Sequence, residues 1–76
     1  MTKSDVTQLK EACRRIFEVD LLEQALDLEM DSLQQIEIRA TAQQINPELA
    51  AVVADFQDFS NLRELFSRLD AISDES

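Results

Sequence analysis

Apolar residues recur along most of this chain at three- and four-residue intervals. Val6, Leu9, Cys13, Ile16 and Phe17 fall at i, i+3, i+7, i+10 and i+11, which predicts an amphipathic helix from about Asp5 to Glu18 with Ser4 as N-cap. From Val19 to Asp31 the pattern breaks. Acids alternate irregularly with Leu21, Leu22, Leu26 and Leu28, too apolar a mixture for a free linker. A long loop packed over the helices, with one helical turn around Leu22 to Leu26, accounts for it.

A second helix is expected from Asp31 or Ser32 to about Ile45. Two capping boxes compete at its start, Asp31 with Gln34 and Ser32 with Gln35. Asn46-Pro47 stops this helix and opens a third, with Asn46 as N-cap, Pro47 at the first helical position and Glu48 behind it. Leu49, Val52, Val53 and Phe56 extend that third pattern. A fourth helix starts near Ser60-Asn61, where Asn61 and Glu64 form a further capping box. Phe59, Leu62, Leu65, Phe66, Leu69 and Ile72 supply its stripe. The tail from Ser73 to Ser76 is expected to fray.

The second helix carries two apolar stripes. At 100° per residue, Leu33, Ile36 and Ala40 share one face, and Ile38, Ala42 and Ile45 share a nearly opposite one. Gln34 and Glu37 separate them on one side, and Gln35, Arg39 and Gln43 on the other. A helix on the outside of a bundle needs one stripe only. Either the helix is central and buried on both sides, or one stripe is a partner surface. The exposure of Leu33 and Ile36 distinguishes the two.

Composition narrows the class to all-α. The 76 residues include no glycine, tryptophan, tyrosine or histidine, and one proline. Hairpins and sandwiches need turn residues at regular spacing. The abundance of Leu, Ala, Glu, Gln and Arg favours helix. Short connections imply a compact four-helix bundle in one domain spanning residues 1–76. A chain this short buries only roughly 60% of its unfolded surface, which leaves no room for a large enclosed active site.

Charge narrows the partners. Sixteen acids against seven bases give a net charge of −9. Phosphate-directed binding of nucleic acid needs a basic surface, so it is not expected, nor is binding to anionic membranes. Between Ile16 and Ile38 stand seven acids and no base. A solvated loop would look the same, but this run surrounds Ser32, and a protein partner with a basic patch is expected. Leu49 to Ala54, the longest apolar run, is far too short to span a bilayer. Cys13, the lone cysteine, lies on the apolar face of the first helix and reads as a buried small hydrophobe. It forms no intrachain disulfide, and the absence of an apolar leader core fits a cytoplasmic location.

Catalysis by Ser32 is not expected. A serine nucleophile needs a base, and the chain has no histidine, no strand-turn-helix elbow and no glycine-lined oxyanion hole. No Cys/His set or calcium loop suggests a metal. A serine modified by another enzyme is compatible with these residues. A helix N-terminus offers free N–H groups and partial positive charge, so it tolerates a phosphodiester.

At this point the residues resemble the acyl carrier protein family. Asp31-Ser32-Leu33 is similar to the Asp-Ser-Leu triplet that opens the second of that family's four helices. Ile36-Glu37-Ile38 is similar to the apolar-Glu-apolar that follows. Asp27-Leu28 resembles the pair before the loop turn, and Ser60-Asn61-Leu62-Arg63-Glu64-Leu65 the start of the last helix. The resemblance covers nearly the whole chain. It implies an acyl-carrier-type bundle with a long first loop, in a free-standing carrier that is monomeric when free.

It also implies that a phosphopantetheinyl transferase attaches 4′-phosphopantetheine from coenzyme A to Ser32. The carrier does no chemistry itself. It delivers thioester-bound acyl groups to ketosynthase- or acyltransferase-type enzymes. Met30, Asp31, Leu33, Ile36, Glu37, Arg39 and Ala40 would form the docking face. The departures are Glu29 where the family commonly has glycine, a shorter first loop, neutral Gln34, Gln35 and Gln43 with basic Arg39 on the second helix, and a more continuous helical pattern from Asn46 to Phe56. The unusual second helix favours a polyketide or related secondary pathway over the housekeeping fatty-acid role. A peptidyl or aminoacyl carrier and an unmodified acidic helical adaptor are the alternatives.

Overall fold

The computed structural model describes residues 2–54 and 61–75. They form four α-helices, α1 (Lys3–Ile16), α2 (Ser32–Ile45), α3 (Pro47–Val53) and α4 (Leu62–Glu75), with a 3₁₀ turn at Leu22–Gln24. No strand occurs among the described residues; one isolated antiparallel bridge joins Glu29 to Asn61. The class is all-α, as composition and periodicity predict.

α1 starts earlier than expected. Thr2, not Ser4, is the N-cap. Its Oγ1 accepts from the Asp5 N–H at 3.2 Å, and the Asp5 carboxylate accepts from the Thr2 N–H at 3.2 Å. The spacing Thr-x-x-Asp completes a reciprocal box that Ser4 cannot make. The helix ends at Ile16 rather than Glu18, in a Schellman turn. The Glu18 N–H donates to the Arg15 carbonyl at 3.1 Å and the Val19 N–H to the Arg14 carbonyl at 3.2 Å. This geometry needs a left-handed residue, and Glu18 supplies it at φ 55°.

One core joins the elements: Val6, Leu9 and Cys13 of α1, Ala25 of the loop, Ile38 and Ala42 of α2, Leu49 and Val53 of α3, and Leu62, Leu65, Phe66 and Leu69 of α4. α2 packs on α1 and α3, and α4 and the 3₁₀ turn pack on α1. Val19, Leu22, Leu26 and Met30 are partly buried against this core, so the loop does lie over the helices. Leu21 and Leu28 are exposed.

The ends of α3 and α4 refine the expected picture. Asn46 caps α3 through the Glu48 N–H at 2.9 Å, with Pro47 in the first turn as predicted. α3 stops at Val53; Phe56, Phe59 and Ser60 lie outside the described residues. At α4 the Asn61 side chain accepts from the Glu64 N–H at 3.1 Å. α4 runs to Glu75, and Ser73 is only 7% exposed. Ser73 shares the inner face with Leu69, and its hydroxyl donates to the Asp70 carbonyl at 3.1 Å, so burial leaves it hydrogen-bonded.

Candidate functional site: the first turn of α2

Ser32 is the first residue of α2 and is exposed. Of the two possible capping boxes, the fold uses Asp31 with Gln34. The Asp31 carboxylate accepts from the Gln34 N–H at 2.7 Å, and the Gln34 Oε1 accepts from the Asp31 N–H at 3.0 Å. Ser32 is therefore not the cap. The first-turn N–H groups of Ser32 and Leu33 have no acceptor within the helix. A phosphodiester on Oγ would meet an exposed position and the positive end of the α2 dipole. Exposure leaves Oγ open to such a group, and the helix dipole favours its charge while the neighbouring Asp31 and Glu29 carboxylates oppose it.

The two stripes of α2 have different fates. Ile38 is fully buried and Ala42 with it, whereas Leu33 is 64% and Ile36 57% exposed. Ala40 and Glu37 are also exposed, and both border an open groove against Ala12, Arg15 and Ile16 of α1. Arg39 is exposed one turn further on. Leu33 and Ile36 thus form an uncovered apolar pair directly after Ser32. Met30 differs from them, being half-buried and packed against the core.

The loop before Ser32 is tied to α4. Asp27 takes two hydrogen bonds from the Arg63 guanidinium, at 2.8 Å from Nε and 3.1 Å from Nη2. These hold its carboxyl below the usual range. The Arg63 N–H donates to the Leu26 carbonyl at 3.1 Å. Glu29 pairs with Asn61, and its φ is not positive, since Glu18 is the sole described residue with φ above zero. The turn at Glu29 therefore needs no glycine. Sequence reading missed Arg63 and Asn61 as supports of this loop. The one available signal was an acid-rich loop in a chain with few bases, one of them opening the last helix.

The remaining reactive groups are accounted for. Cys13 is buried, and loss of solvation pushes its thiol up to about 12. No three metal-ligating side chains converge among the described residues. No described helix is long and apolar enough to cross a membrane. No protein-family model, no curated protein and no solved structure matches the chain.

Proposed function

We propose that this protein is an acyl carrier, modified with 4′-phosphopantetheine at Ser32. The observation that carries the reading is the separation of roles in the first turn of α2. Asp31 caps the helix, leaving an exposed serine beside the uncovered pair Leu33 and Ile36. In the modifying step Ser32 Oγ attacks the pantetheine-side phosphorus of coenzyme A. A phosphoester bond forms, the pyrophosphate linkage breaks, the nucleotide half leaves, and the hydroxyl proton passes to a base of the transferase. When present, the arm supplies a terminal thiol that holds acyl groups as thioesters.

The chain's own residues do the rest. Glu23, Glu29, Asp31 and Glu37 give the Ser32 side of the molecule a negative field that steers it toward basic partner surfaces. Leu33 and Ile36 provide a small apolar contact, suited to binding that is fast to form and fast to release. Tethering raises the concentration of cargo at each partner.

Intact mass tests the proposal. With coenzyme A, magnesium and a panel of phosphopantetheinyl transferases, including that of the source cell, the protein should gain one phosphopantetheine, and Ser32→Ala should gain none. No addition by any transferase would leave the acidic helical adaptor as the reading.

A further inference from the structure

We infer that Arg63 is a positioning residue for modification at Ser32, acting through the loop that delivers Asp31 and Ser32 to the surface; the inference rests on the carrier reading. α4 and Asn61, the residue just before it, hold this loop at three points. The Leu26 carbonyl accepts from the Arg63 N–H at 3.1 Å. The Asp27 carboxylate takes Nε and Nη2 of Arg63. Glu29 bridges antiparallel to Asn61. Only Met30 then separates this clasp from the N-cap Asp31, and Met30 is itself packed against the core.

The approach to Ser32 is thus held from α4 on one side and by the capping box on the other. The main-chain contacts give the loop its register. The Arg63 side chain is the part of the clasp that a substitution can remove without touching the backbone. A transferase that docks on the loop and on the first turn of α2 meets them already ordered. Without the guanidinium, the part of the ordering that it supplies is deferred to docking, and association bears that entropy. Since the carrier is the substrate, the effect falls on KM and leaves the chemical step alone.

The experiment compares wild type, Arg63→Met, Asp27→Asn, the exchanged pair Asp27→Arg/Arg63→Asp, and Asp70→Asn. The last breaks the Lys10–Asp70 pair between α1 and α4, of 3.0 Å, in which the ammonium bonds the Asp70 carboxylate and not residues 27–33. Rates of coenzyme A-dependent mass gain yield KM and kcat for each, and amide exchange follows residues 27–33. Arg63→Met and Asp27→Asn should raise KM by about two- to fivefold, the factor an exposed ion pair can supply, with kcat unchanged. Loop amides should exchange faster by a similar factor, and the exchanged pair should recover both.

Asp70→Asn should change neither. Unaltered KM and exchange in Arg63→Met, with wild type modified, overturn the positioning role and leave the carrier reading standing. An equal rise in Asp70→Asn, or no recovery in the exchanged pair, also overturns it, pointing to general stability or to direct contact with the transferase. A wild type that no transferase modifies overturns the carrier reading and the inference together.

Discussion

Arg63, in the first turn of α4, closes on Asp27 of the loop 36 residues earlier, with Nε and Nη2 each on a different carboxylate oxygen. The pair lies at the surface, so its contribution to stability is modest. Its pH dependence has a definite sign. The hydrogen bond from Arg63 lowers the Asp27 pKa below its ordinary 3.8. A carboxyl depressed in the folded state stabilises fully above its unfolded pKa, and loses that contribution as pH falls through the folded value. The gap in urea midpoint between wild type and Arg63→Met should therefore be constant above about pH 5 and close in stronger acid. A gap that persists at low pH would mean that Arg63 stabilises by packing alone.

The first turn of α2 separates capping from attachment. Asp31→Ala removes the acceptor of the Gln34 N–H and should destabilise the fold by about 1 kcal/mol. Ser32→Ala should change stability by less than about 0.5 kcal/mol, as an exposed position outside the cap. Chemical denaturation of both variants checks this. Equal losses would show that Ser32 shares the capping role.

The stripes of α2 should respond oppositely to truncation. Ile38 is fully buried, so Ile38→Val should cost about 0.5–1.5 kcal/mol. Ile36→Ala removes more atoms from a position 57% exposed and should cost less than about 0.5 kcal/mol. Thermal melts of the two suffice, and a larger loss at Ile36 would place that face inside.

Glu18 occupies the left-handed position of the turn after α1. A side chain there crowds its Cβ against the backbone at a cost of roughly 1–2 kcal/mol. Glycine removes that strain but adds about 0.4–1 kcal/mol of entropy to the unfolded chain. Glu18→Gly should therefore stabilise the protein by about 0.5–1 kcal/mol net, read as a raised denaturation midpoint. A destabilised variant would mean that the Glu18 side chain contributes more than its strain costs.

Much of the helical order was legible because its signals are local. Asn46-Pro47-Glu48 and Asn61-x-x-Glu64 mark helix starts through bonds two or three residues long. The α1 start was misjudged on equally local grounds: Ser4 suits a cap, but only Thr2 has an acid three residues on to reciprocate.

By itself the sequence determined an all-α chain, the approximate positions of its helices, an acidic approach to Ser32 and the existence of two stripes on α2. Periodicity and caps act over one or two turns, so they are visible along the chain. Only the tertiary structure decided that Ile38 faces inward and Ile36 outward, since two opposite stripes have equal local claims and packing against α1 and α3 chooses between them. It also decided that Glu29 turns without a left-handed backbone, because Asn61 and Arg63 hold that loop from a helix distant in sequence.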